Sequence, residues 1–160
     1  MSSNYYVIGS FYYEDSEGCD MLEDMISNNV ISMGWAKEID LTDFYGKSSD
    51  EEVVEYLKNQ GQSIKAYSNI RRFLNIELGD MVAVKRWLME NRRGRIIVRA
   101  YARVVERNGK VYSWDKDTLG HMLNVKYLKK DLALELPYNY SQAIHLVTEP
   151  NRIRNIFRVS

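Results

Sequence analysis

Apolar and β-branched residues recur along this chain with two different periods, and the switches between them mark its elements. Residues 5–11 (YYVIGSF) are aromatic and β-branched and predict an opening strand. Within residues 17–29, Met21, Leu22, Met25 and Ile26 recur at helical spacing, predicting a helix with one apolar face. Residues 30–39 read as a second short strand or extended segment that carries Gly34 and Trp35. Ser49, Asp50, Glu51 and Glu52 form a capping-box pattern, in which the serine oxygen takes a free helix amide and Glu52 reaches back. The helix begun there buries Val53, Val54 and Leu57 and stops at Gly61. Another helix fits residues 63–76, with Ile64, Tyr67, Ile70, Phe73 and Leu74 on one side.

Gly79 and Asp80 predict a turn into a strand over residues 81–86, and Arg92, Arg93 and Gly94 a hairpin tip. Across residues 95–105 strict alternation places Ile96, Val98, Ala100, Ala102 and Val104 on one face. The opposite face shows Arg95, Ile97, Arg99, Tyr101 and Arg103, so this strand presents a basic outer row. Asn108-Gly109 is a turn signal, and residues 123–128 predict a further strand. Glu149-Pro150 opens a last helix, with proline at its tolerated first position and Ile153, Ile156 and Phe157 inward. Strands and helices partly interleaved predict an α+β fold, a curved mixed sheet or partial barrel flanked by helices. With no repeat, linker or low-complexity tract, residues 1–160 form one expected domain.

Charge adds a division that the zero net charge hides. Residues 1–60 hold three basic residues against thirteen acidic ones, and residues 61–160 hold nineteen against nine. Between Lys85 and Lys110 stand nine basic residues and only Glu90 and Glu106. A basic stretch of this kind fits a polyanionic partner, or equally a solvated face neutralised by the acidic part. No apolar run reaches the roughly 18 residues of a membrane span, and no basic-then-apolar leader opens the chain. Cys19 stands alone, which rules out an internal disulfide and predicts a cytoplasmic setting.

Catalytic signatures are missing. His121 and His145 have no cysteine or second histidine at ligand spacing, so no metal is expected. The chain holds no phosphate loop, dinucleotide fingerprint or nucleophile elbow, so neither an enzyme nor a cofactor is expected. What remains is aromatic. Trp35 follows a glycine, Trp114 sits in the polar run Tyr112-Ser113-Trp114-Asp115-Lys116-Asp117, and Trp87 ends a strand before Arg92-Arg93. Spacing alone leaves Trp35 and Trp114 as ordinary core residues or as walls of a slot for one planar base, and reads Trp87 as edge packing.

The order of several short motifs resembles the YTH and EVE branch of the PUA-like superfamily. It is most similar to the N-terminal DNA-reading domains of McrB-type modification-dependent restriction systems. The motifs are Val7-Ile8-Gly9-Ser10 before the acidic Glu14-Asp15, Trp35 opening the next segment, and Leu78-Gly79-Asp80-Met81-Val82. Ala100 to Val105, then Val111 to Lys116 with Trp114, and His121 to Tyr127 continue the series. Gly9 departs from it, standing where YTH domains carry lysine, and the insertion after it is long. The resemblance implies a domain that reads modified, methylated DNA by flipping a base into an aromatic cage. It implies cage walls Trp35 and Trp114, a floor of Leu119 or Met122, and base-edge contacts from Ser10 and Ala36 with Asp15 or Asn28 assisting. The basic residues Lys85, Arg92, Arg93, Arg95, Arg99 and Arg103 then contact phosphates. An AAA+ motor and a nuclease, fused or assembled, are the implied partners. The same pocket suits an RNA reader of a methylated base. Two further classes stay open: an ASCH-type enzyme using Lys85 with Glu106 or Asp80, and a protein-interaction module whose basic face meets an acidic partner.

Overall fold

A computed structural model describes residues 3–12 and 18–158 of the chain. The expected acidic turn at Glu14 and Asp15 lies outside these residues. The order of elements is β1 (Tyr5–Gly9), β2 (Phe11–Tyr12), β3 (Cys19–Asp20), α1 (Leu22–Ser27), β4 (Val30–Met33), α2 (Asp50–Asn59) and α3 (Ile64–Leu74). Then follow β5 (Met81–Glu90), β6 (Arg93–Val104), β7 (Tyr112–Asp115), β8 (Gly120–Lys129), β9 (Leu134–Leu136), β10 (Ile144–Val147) and α4 (Pro150–Phe157). The fold is α+β: a strongly curled mixed half-barrel sheet with four helices among the described residues. Its strands run β10-β1-β5-β6-β8-β4, with β7 also on β8 and β9 also on β6; β1 and β5 are parallel and the other described pairs antiparallel. No helix among the described residues is long and apolar enough to cross a membrane.

Local chemistry explains several of these boundaries. Ser49 accepts from the Glu52 amide while the Glu52 carboxylate takes the Ser49 N–H, so the capping box starts α2. Ser63 caps α3 one way only, its side-chain oxygen accepting from the Ala66 amide. Asn91 and Arg92 both have positive φ, 50° and 63°, and link β5 to β6 as a two-residue turn of the twisted kind.

The sheet carries apolar residues on both faces. Opposite Val84 and Lys85 the register of β6 skips Arg99: Val84 pairs with Ala100 and Lys85 with Val98. One extra residue reverses side-chain parity beyond it. Ile96 and Val98 therefore join a core with Val7, Met81, Ala83, Tyr101, Ile156 and Phe157. Ala100, Ala102 and Val104 join the other core, with Ile8, Val84, Ile70, Phe73 and Leu123. A second register shift follows between Tyr101 and Ala102, where β6 meets β8.

This arrangement corrects the basic outer row. Arg95 and Arg103 fall on opposite faces, and two of the three arginines are paired in place. Arg95 bridges Glu90 at 3.0 Å and Glu135 at 3.1 Å, and Arg99 pairs with Asp20. Other expectations shift as well. The opening strand breaks at Ser10, and Cys19 lies in β3 rather than on a helix. Helix α1 is six residues long, Ile64 is 71% exposed at the start of α3, and the polar run at Trp114 is a strand paired with β8. Strands β9 and β10 had no sequence signal; they are short and lie beside strands far away in the chain.

Gly94 shows how tightly the hairpin is built. A Cβ there would sit 1.9 Å from Asn139 Oδ1 and 2.8 Å from Trp87 Nε1. Gly94→Ala is expected to cost about 1–3 kcal/mol, read as a lower urea midpoint at unchanged slope. An unchanged midpoint would show that this contact is not fixed.

Candidate functional site

Strand β1 stops at Gly9, opposite Lys85, whereas β5 runs on to Glu90. Past that point β5 has no β1 neighbour, and the chain turns away at Ser10 with its amide still bonded to the Lys85 carbonyl. A cleft of about 790 Å³ opens there. Its walls come from 9–12, the 34–36 turn, the N-terminal half of α3, β5 residues 85–87, and 141–143. The aromatic lining is Phe11, Tyr12, Trp35 and Trp87; the basic lining is Lys65, Arg72, Lys85 and Arg86. No carboxylate lines it among the described residues.

Trp35 is 38% exposed and rides on a turn that is strongly held from behind. Ala36 has φ +52°, a left-handed conformation that needs outside support in a residue with a Cβ. Its carbonyl accepts from His121 Nε2 at 3.0 Å, which makes Nε2 the protonated nitrogen. Nδ1 therefore accepts from the Tyr112 hydroxyl at 2.6 Å, and that oxygen takes the Leu41 amide. Burial holds His121 below its usual pKa and so keeps the imidazole neutral, as this chain of bonds requires. One residue on, the Lys37 carbonyl accepts from Trp114 Nε1 at 2.7 Å. From the front, the Tyr12 ring packs on Gly34, where a Cβ would come within 2.8 Å. The Tyr12 hydroxyl donates to the Leu119 carbonyl and takes the Ser32 hydroxyl, both at 2.6 Å.

The expected cage is thus only partly assembled. Trp35, Ser10 and Ala36 line the cleft. Trp114 does not: it pairs with His121 on β8, which pairs in turn with Met33, so its ring lies with the core. Leu119 contributes its backbone from a buried position, and Met122 sits between Ser32 and Ser113 on the sheet face away from His121. Asn28 bonds the Asp24 carbonyl of its own helix, and Asp15 is outside the described residues. The second indole of the cleft is Trp87, whose N–H donates to Asn139 at 2.8 Å across Gly94. Trp87 does pack at the sheet edge, against the core of Ile96 and Val98; that it also borders the cleft follows from where β1 ends.

Lys85, expected on the phosphate side, is 3% exposed and donates to the Gln142 carbonyl at 3.0 Å. Among the described residues no carboxylate lies within 4.0 Å of it, neither Asp80 nor Glu106. Asp80 instead takes the amides of Asn4 and Glu77. Burial pushes the Lys85 ammonium down to about 8. Arg72 reaches the same glutamine through its side chain, at 2.8 Å. Burial, then the charges of Lys85 and Arg72, take His145 down to about 4, and its Nε2 has no partner. Asn69, one turn before Arg72, is 7% exposed with no side-chain hydrogen bond among the described residues. The Ser10 hydroxyl is buried beside Asp20. Burial works against charge on Asp20, but Arg99, Ser10 and the Leu22 amide outweigh it and hold the carboxyl below its usual range.

Two outcomes follow for stability. Trp114→Phe keeps an aromatic side chain but removes the indole N–H that bonds the Lys37 carbonyl, and should cost about 1 kcal/mol or more in denaturant unfolding; no loss would show that the bond does not hold the turn. Unfolded, Lys85 keeps its proton to pH 10.5, and folded only to about 8, so its contribution to stability rises with pH between those values. Lys85→Met should therefore melt higher than wild type at pH 7, by roughly 2 kcal/mol of stability. That difference should shrink as pH approaches 10; a constant gap between the two melting curves would contradict the buried, charged lysine.

A family model described as Domain of unknown function (DUF8426) matches residues 12–148. No curated protein and no solved structure matches the chain. The matched span holds the cleft from Tyr12 through Ala143. Covering most of the sequence, this match makes the chain a member of the DUF8426 family.

Proposed function

We propose that this protein is a nucleic-acid reader, an EVE- or YTH-like variant of the PUA-like fold. In this reading it draws one modified base out of a DNA duplex into the cleft, as the recognition domain of a restriction or defence system. The observation that carries the reading is the lining itself: two indoles, Tyr12 and Phe11 beside four cations, with no described carboxylate. A flat, negatively charged ligand is what such a lining favours, since aromatic faces stack on bases and cations meet phosphates. The curled half-barrel is the architecture the resemblance implies, and it supports the same reading.

In this reading Trp35 and Trp87, rather than Trp35 and Trp114, are the indoles that stack on the base. Extruding a base costs a few kcal/mol, which stacking at about 1–3 kcal/mol per aromatic offsets. Phosphate contacts move from the paired arginines of β6 to Lys65, Arg72 and Arg86 at the cleft, with Arg92 and Arg93 exposed at the hairpin tip. Arg86 is already oriented, its guanidinium 5.0 Å over the Phe11 ring. An AAA+ motor and a nuclease remain the proposed partners of such a domain.

The test is binding to otherwise identical duplexes with N6-methyladenine, 5-methylcytosine, 5-hydroxymethylcytosine or no mark. Trp35→Ala and Trp87→Ala should each abolish the preference for one mark while the fold survives, whereas Trp114→Phe should keep it. Lys65→Ala with Arg86→Ala should weaken binding to every duplex and flatten the salt slope by about 2. Salt-insensitive binding, or a preference untouched by either tryptophan, would sink the reading. Methylated single-stranded RNA outcompeting methylated duplex would make the target RNA.

A further inference from the structure

Four polar groups of the cleft divide unevenly. Lys85 carries three N–H donors and spends one on the Gln142 carbonyl, at 3.0 Å. Its ammonium runs alongside Gly9, with Nζ 3.6 Å from where a Gly9 side chain would begin. That contact places it where β1 ends and the cleft starts. Asn69 reaches the cleft from α3, on the same face as Arg72, with its amide unspent among the described residues. Gln142 ties the two sides together, taking Lys85 on its carbonyl and Arg72 on its side chain. Ser10 is fully buried at the edge of the cleft, and its hydroxyl serves Asp20. Two N–H donors of Lys85 are thus unspent and almost out of water, and the Asn69 amide lines the same cleft.

Such a corner is badly matched to a methyl group. A methyl seated there closes a buried ammonium off from solvent and returns no hydrogen bond. An oxygen seated there accepts what Lys85 and Asn69 have to give. We propose that Lys85 and Asn69 form an oxygen-seeking subsite in the cleft, which selects a base bearing a hydroxymethyl, formyl or carboxyl group over one bearing a bare methyl. The inference rests on the base-reader reading above and narrows it. An oxygen could also come from a backbone phosphate, so the test separates the two sources.

Binding is measured to four duplexes of one sequence, with cytosine, 5-methylcytosine, 5-hydroxymethylcytosine or 5-carboxylcytosine at the same position. The oxygen-bearing duplexes should bind about tenfold or more tighter than the methylated one, the scale of one hydrogen bond to a charged group. Lys85→Met should erase that margin by weakening the oxygen-bearing duplexes about tenfold more than the methylated one, and Asn69→Ala should narrow it. Asn69→Ala decides the case alone if Lys85→Met does not fold; an unchanged margin there overturns the subsite. Equal or tighter binding of the methylated duplex overturns it too, and with Trp35 still required the base-reader reading survives. Equal weakening of all four duplexes by Lys85→Met assigns the oxygen to a phosphate and also overturns it. If no duplex binds, the base-reader reading fails and takes the subsite with it.

Discussion

The extra residue at Arg99 sets the parity of β6, and from that parity come both cores of the molecule. Without it, Ile96 and Val98 would share a face with Ala100, Ala102 and Val104, and Tyr101 would turn away from α4. A single shift lets one twelve-residue strand feed an apolar row to each side. With the second irregularity two residues on, it also adds local twist, which suits a sheet that curls into half a barrel. Arg99 itself is not left unpaired at the bulge, because Asp20 meets it from β3. The short β2–β3 pair is thereby fastened beside the cleft.

The turn at 34–36 is the second element built with unusual care. A left-handed Ala36 and a half-exposed Trp35 are both unfavourable in isolation. They are held by a run of hydrogen bonds through Leu41, Tyr112, His121 and Ala36, with Trp114 bonding the next carbonyl. Every polar atom of the buried imidazole is spent, so it stays neutral and rigid without an ionic partner. Trp114 acts on the cleft only indirectly, by fixing the backbone that carries Trp35.

Ion pairs are distributed in a telling way. Arg71, Arg95 and Arg99 each have a carboxylate partner on the surface, worth little to stability when exposed. Lys65, Arg72, Lys85 and Arg86 face the cleft without one among the described residues. Lys85 is the costly member, because its charge is kept at neutral pH while buried. Keeping such a group costs stability and gives the cleft a local positive potential.

The sequence by itself determined the elements whose signals are local. The capping box at Ser49 and Glu52, the proline start of α4, the Asn108-Gly109 turn and the helical face of Ile70 and Phe73 are all found where periodicity and cap chemistry place them. The α+β class and the curled mixed sheet were legible for the same reason. Of the site, Trp35, Ser10, Ala36 and Lys85 were legible as candidates. Tertiary structure alone decided the rest. Alternation in β6 reads as a single face until a neighbouring strand shows that one residue has no partner, so the basic row dissolved only on pairing. Trp114 packs on the core, and Trp87 borders the cleft as well as packing at its edge, because a tryptophan becomes a cleft wall through the strand that ends beside it, and β1 and β5 are joined by some seventy residues of intervening chain. Local patterns record what a segment wants to bury; which partner arrives to cover it is a long-range property that no window of sequence contains.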